Sequence, residues 1–165
     1  MGLAELATDR EVVQAVLAGD VEQYAVLVRR YRDRFARYAA RMLGSVDAAE
    51  DAVQDALVRA FDQLAQCREP DKFAGWLFLI LRNRCFAERR RRAREGRPLN
   101  AQDDAVAAPD RTDGRVEQRE VFVLKHMDGM AYEEIAAMTG ATVASLKMRM
   151  HRAYDRLREL LKGHL

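Results

Sequence analysis

Very little in this 165-residue sequence is arranged to hold a metal or close a disulfide. Its two cysteines, Cys67 and Cys85, stand alone with no Cys-x-x-Cys spacing, and His126, His151 and His164 are too scattered to complete a ligand set with them. Two isolated thiols of this kind fit reduced residues of the cytosol. No nucleophile–base pair is spaced for covalent chemistry, so the chain reads as neither an enzyme nor the holder of a cofactor. The longest mostly apolar run, Phe73 to Leu81, is far too short to cross a bilayer. Glu5, Asp9 and Glu11 occupy the place where a secretory signal needs an apolar core. A cytoplasmic protein without membrane insertion is therefore expected. Strand alternation and internal repeats are missing as well.

Apolar residues at 49% and charged residues at 33% fit a folded soluble chain, and the length allows one compact domain or two small helical ones. The net charge of +2 conceals a segregated distribution. Residues 82–97 hold Arg82, Arg84, Arg89, Arg90, Arg91, Arg92, Arg94 and Arg97 against Glu88 and Glu95, whereas 103–113 carry Asp103, Asp104, Asp110 and Asp113. Such neighbouring blocks suggest a face for a polyanion and a separate connecting segment.

The rest reads as helix. From Tyr24, the residues Leu27, Val28, Tyr31, Phe35, Tyr38, Met42 and Leu43 recur mostly at three- and four-residue steps, one buried stripe. Asp20 with Gln23 spells a capping box for its start, and Gly44 a stop. A second helix is expected from Asp47, with Glu50 three positions on, through Leu64. A third runs from about Asp71 into the arginines. Residues 98–114, with Pro98, Pro109 and Gly114, keep no apolar period and read as a flexible linker. Helical pattern returns at Glu117, turns at Asp128-Gly129, resumes at Tyr132, breaks at Thr139-Gly140 and ends with a helix from Val143 to about Leu161. The expected fold class is all-α: two small helical domains, 1–97 and 115–165, joined by the 98–114 linker.

The segment Ala131–Met150 is the most informative. A helix-turn-helix needs a small residue where its helices cross, a glycine for the positive φ that ends the first, and an apolar residue packing back from the second. Ala136, Gly140 and Leu146 have that spacing, with Ile135, Val143 and Met150 completing a shared core and Thr142 a suitable N-cap. The second helix then turns Ser145, Lys147, Met148, Arg149, His151 and Arg152 outward. Such a helix can enter a major groove, early residues at base edges and basic ones on phosphates. A plain helical hairpin with a solvated basic face is the other reading. For the 47–64 helix, Glu50, Asp51, Gln54 and Asp55 lie opposite the core stripe, where most charged faces are simply solvated. The 82–97 run matches a duplex-binding helix or a charged helix end. Phe73, Trp76 and Phe78 precede it, and aromatics at helical spacing are more often core than stacking surfaces for melted DNA.

The order of these pieces resembles a known family. Asp47-Ala-Ala-Glu-Asp-Ala-Val-Gln-Asp-Ala56, the helix containing Lys72-Phe-Ala-Gly-Trp-Leu-Phe78, and Asn83-Arg84-Cys85 with the arginines resemble region 2 of sigma factors. Gln118-Arg-Glu-Val-Phe-Val-Leu-Lys125, Gly129-Met-Ala-Tyr-Glu-Glu-Ile-Ala136 and Leu146-Lys-Met-Arg-Met-His-Arg-Ala153 resemble region 4. No region 3 separates them, which marks the extracytoplasmic-function group of the sigma-70 family. The resemblance implies a sigma factor that takes core RNA polymerase to promoter DNA and is held inactive by an anti-sigma factor. Asp51, Gln54 and Asp55 would dock the β′ coiled-coil, and the second domain would meet the β flap. The loop from Gln66 to Lys72 would meet the −10 element. Asn83 would line a pocket for a flipped base, with Lys72, Arg82, Arg84, Arg89 and Arg90 on nearby DNA. Lys147, Met148, His151 and Arg152 match −35 reading positions with Ser145 beside them, and Thr142 and Arg149 match phosphate-side positions. The chain departs from the pattern at Ala131, where a serine cap is usual, at Met148, where a small polar residue is usual, and before Gln118, where Asp113-Gly-Arg-Val116 stands in place of the usual Leu-Pro and the apolar helix preceding it. The first helix of region 4 is therefore expected to be short. A stand-alone two-domain helix-turn-helix regulator is the alternative function.

Overall fold

A computed structural model describes residues 6–96, 112–126 and 129–163. These residues form seven α-helices and three single 3-10 turns, with no strand among them. The helices are α1 Asp9–Leu17, α2 Tyr24–Leu43, α3 Val46–Asp62, α4 Phe73–Arg94, α5 Thr112–His126, α6 Tyr132–Thr139 and α7 Val143–Lys162. The chain divides into two compact units, Met1–Ala87 and Glu88–Leu165, and the division falls inside α4. Most of the expected linker lies outside the described residues, and so does Asp128 of the expected turn.

In the first unit, α3 packs along α2. The reason is a stripe of small residues, Ala49, Ala52, Ala56 and Ala60, all buried, which lets the helix backbones approach closely. The Tyr24 hydroxyl donates to the Leu57 carbonyl at 2.6 Å, and its ring meets Phe61 edge-on at 5.1 Å, tying the two helices together at one end. α4 is fixed by rings: Phe78 lies 4.9 Å from Tyr38 and 6.0 Å from Phe35, and Phe73 lies 5.9 Å from Tyr31. Phe73 and Phe78 are therefore core, whereas Trp76 touches Phe73 but is only half-buried.

Several local expectations fail for identifiable reasons. Asp20 makes no capping bond, because a 3-10 turn, Val21–Gln23, already carries the chain into α2 with Gln23 helical. The second helix is capped by Ser45, whose Oγ accepts the Ala48 N–H at 3.2 Å; Asp47 lies in the first turn instead, where a carboxylate favours the helix dipole. Gly44 does end α2, at φ 65°. α1 was not expected at all. It is held by a full capping box between Thr8 and Glu11 and buries Val12, Val13 and Val16.

In the second unit, α5 begins at Thr112, five residues before the expected start at Glu117 and within the expected linker. Gly114 in a helix costs roughly 1 kcal/mol against alanine. Burial of Val116, Val121, Val123 and Leu124 along the same helix outweighs that, so the Asp113-Gly-Arg-Val116 stretch is itself helical. α6 and α7 form the expected helix-turn-helix: Gly140 takes φ 74°, Thr142 Oγ1 accepts the Ser145 N–H at 3.1 Å, and Ile135, Leu146 and Met150 are buried. Ala131 offers no side-chain cap, but Glu134 reaches back to accept its N–H at 3.2 Å, which restores half of a capping box.

Candidate nucleic-acid interface

α7 is divided cleanly by its own period. Leu146 and Met150 are inside, while Lys147, Met148, His151 and Arg152 are exposed on the opposite side, Met148 to 58%. Ser145 is half-buried and its hydroxyl donates to the Thr142 carbonyl at 2.9 Å, so it rigidifies the helix start as well as facing outward. His151 lies 3.5 Å from Asp155 one turn on. Arg149 differs from its neighbours. Its guanidinium turns toward α5, 3.6 Å from Glu117, and remains only 25% exposed. Two side chains that the motif did not single out join this face, Lys125 and Tyr132: the Tyr132 ring lies under Lys125 at 4.8 Å and under Lys147 at 5.9 Å. Lys125 is seven residues before Tyr132 and Lys147 fifteen after it, so their grouping emerges only once α5, α6 and α7 are packed together.

The basic helix α4 is less open than its composition suggests. Leu77, Phe78, Leu81 and Cys85 are buried on one side. Leu79, Asn83 and Arg90 are exposed on the other, in register with Phe86, over whose ring Arg82 lies at 4.4 Å. Arg84 is paired with Asp55 of α3 at 2.8 Å. Arg89 is buried, at 5% exposure. Arg91 holds both Glu88 and Glu95 at 2.7 Å, and Arg92 holds Glu88 at 3.1 Å. The hydrogen bonds from Arg91, followed by those from Arg92, keep the Glu88 carboxyl below its ordinary range. Lys72 is exposed and pairs with Glu69 at 2.9 Å. The aromatic on the outward stripe is Phe86, about two turns beyond the Phe73, Trp76 and Phe78 cluster that the sequence emphasised.

On α3, Asp51, Gln54 and Asp55 are all exposed, with Val58 and Phe61 continuing the surface. The Asp55–Arg84 pair thus joins the acidic helix to the basic one. Both cysteines are buried, and burial pushes the Cys67 thiol up from its ordinary value. Among the described residues, no group of His, Cys, Asp and Glu could hold a metal ion, and no helix is long and apolar enough to cross a membrane.

Residues 27–95 match the family model for sigma-70 region 2, and residues 115–157 match that for sigma-70 region 4. Among characterised relatives, the chain is 33% identical over 158 residues to the ECF RNA polymerase sigma factor SigE of Mycolicibacterium smegmatis; the match takes in 84% of this chain and 61% of that protein, so this chain spans less than two thirds of it. It is 31% identical to the ECF RNA polymerase sigma factor EcfG of Rhodopseudomonas palustris, over 75% of this chain and 77% of that one. Two solved structures are similar. CnrH in complex with the cytosolic domain of CnrY gives a TM-score of 0.68 at 28% identity, covering 94% of this chain and 97% of that one. The sigma factor RpoE from Bartonella quintana, in complex with the anti-sigma factor NepR, gives 0.62 at 30%, covering 87% and 97%.

Proposed function

The chain belongs to the extracytoplasmic-function group of sigma-70 sigma factors, and from that premise we propose how its own side chains divide the work of promoter recognition in the cytoplasm. α7 reads the −35 element, with Lys147, Met148, His151 and Arg152 at base edges and Ser145 and the capped start of the helix near the backbone. Thr142 and Arg149 serve this face from the side of its scaffold, Arg149 through Glu117. The outward stripe of α4 meets the −10 element. Asn83 contacts an unpaired base, Phe86 with Arg82 offers a stacking surface, and Lys72 and Arg90 lie on the adjoining backbone. Arg84 reaches phosphate by exchanging its Asp55 partner, and Arg89 supports the helix from within. Asp51, Gln54 and Asp55 dock the coiled-coil of the polymerase β′ subunit, while the second unit meets the β flap. An anti-sigma factor covers these surfaces when the protein is idle, a reading supported by the complex of the similar RpoE with the anti-sigma factor NepR. The work is binding, not catalysis: base and phosphate contacts offset the few kcal/mol needed to unpair each flipped base.

The observation that carries this reading is the division of α7, in which four side chains able to read DNA are exposed directly opposite two buried ones on a capped helix. In vitro transcription with core polymerase on a genomic library tests it. Initiation at a restricted set of sites sharing two spaced elements is expected. A chain that footprints duplex operators alone and leaves core polymerase unselective is instead a stand-alone regulator.

A further inference from the structure

The first helix precedes the region 2 match, which begins at residue 27, yet α1 packs against the connection between α3 and α4 as well as against α2. Its Arg10 grips Asp71 from the side: Nε is 3.0 Å from each carboxylate oxygen, and Nη2 donates to Oδ2 at 2.6 Å. α1 itself is anchored to α2, because Asp9 accepts from Arg30 at 2.8 Å and from the Tyr31 hydroxyl. Within the connection, Leu64 and Cys67 are buried while Gln66, Arg68, Glu69 and Lys72 remain exposed. The loop is thus plugged into the unit at one end and held by Arg10 at the other, with its polar side chains facing out.

We infer that Arg10 is a positioning residue, which through Asp71 holds the 66–72 loop in the shape that presents its exposed side chains to the −10 element. This rests on the placement of that loop at the −10 element, as the resemblance implies, and it gives α1 a part in promoter choice without a contact of its own to DNA. The pair is half-exposed, with side chains 48% and 63% accessible, so its effect on overall folding is small. Its planar fork nevertheless fixes a direction that a lysine cannot reproduce. The consequence is expected in base preference and not in yield.

The test uses the full chain with core polymerase on a template library randomised across the −10 region, reading preference from the sequenced transcripts. Arg10→Ala and Asp71→Ala are each expected to flatten the −10 preference by about two- to fivefold, the range of an exposed pair. The −35 preference and affinity for core stay unchanged. Arg10→Lys restores less than half of the loss, and the exchange Arg10→Asp with Asp71→Arg restores most of it. Amide exchange in 66–72 quickens in Arg10→Ala, with α2 unaffected. A loop control, Gln66→Ala with Arg68→Ala, separates the two layers of the argument. If it shifts the −10 profile and Arg10→Ala does not, the positioning role is overturned and the loop's placement stands. If the loop control leaves the profile untouched, the placement itself is overturned. Equal losses at −10 and −35 in Arg10→Ala overturn the positioning role in favour of general destabilisation.

Discussion

α4 and α7 are both basic helices, but they hold their charge differently. α4 carries the longer run of arginines, yet Arg84, Arg91 and Arg92 are matched to Asp55, Glu88 and Glu95, and Arg89 is buried. On α7 the split runs along the helix: Lys147 and Arg152 near its start stand exposed and Arg149 turns inward to Glu117, whereas Arg158 and Lys162 near its end pair with Asp155 and Glu159. The number of positive residues is therefore a poor guide to the number available to phosphate. What decides is whether a carboxylate lies one turn away or on the facing helix. A helix with internal pairs also has a built-in threshold: DNA or polymerase must replace those partners before the arginines are free to bind.

The comparison breaks most visibly if the two units are not separate in energy. Leu146→Ala should cost about 2–5 kcal/mol by opening the α6–α7 core. Far-UV circular dichroism should show the loss, while fluorescence of Trp76, the sole tryptophan and a residue of the first unit, keeps its unfolding midpoint. A joint shift of both signals shows one cooperative body. Next in size, Lys147→Ala with Arg152→Ala should remove about 1–3 kcal/mol of −35 discrimination per lost base contact. Equal weakening on every sequence makes both residues phosphate contacts only. A smaller effect is expected from Asp55→Ala, which releases Arg84. Duplex affinity of the free chain should rise by no more than about 1 kcal/mol, and the salt dependence should steepen by about 0.9 in the logarithmic slope. An unchanged slope means that Arg84 is not directed at phosphate. The smallest concerns Glu88, whose carboxyl is depressed by Arg91 and Arg92. A depressed carboxylate stabilises above its ordinary value of 4.5 and loses that contribution as the pH falls through its lowered one. Amide protection at the end of α4 should therefore hold at pH 6 and decline as the pH falls below about 4.5. Glu88→Gln should remove that decline.

The same contrast explains what was legible in the sequence. α2 and α7 are visible because each combines a sustained apolar period with a local stop or start, and the short α6 because the Ala136, Gly140 and Leu146 spacing marks a helix-turn-helix; Gly44, Gly140 and Thr142 do what their chemistry predicts. α1 escapes because three valines in nine residues make too short a period; its tertiary contacts, through Asp9 and Arg10, are what hold it. The early start of α5 is another case of packing overriding propensity, with Val116 buried despite Asp113 and Gly114 before it. The faces of the candidate interface followed from the helical period, so Asn83, Lys147 and Arg152 are outward as expected. The partners of Arg84 and Arg149 did not follow. A long flexible side chain chooses among carboxylates on other helices, and a one-dimensional pattern does not say which of them is near.

The most direct test of the whole account is titration of the purified chain with core polymerase at low salt. A one-to-one complex is predicted for the native chain, and its loss for Asp51→Arg with Asp55→Arg. No affinity of the native chain for core, or undiminished affinity of the double variant, contradicts the assignment of the acidic α3 face to the polymerase.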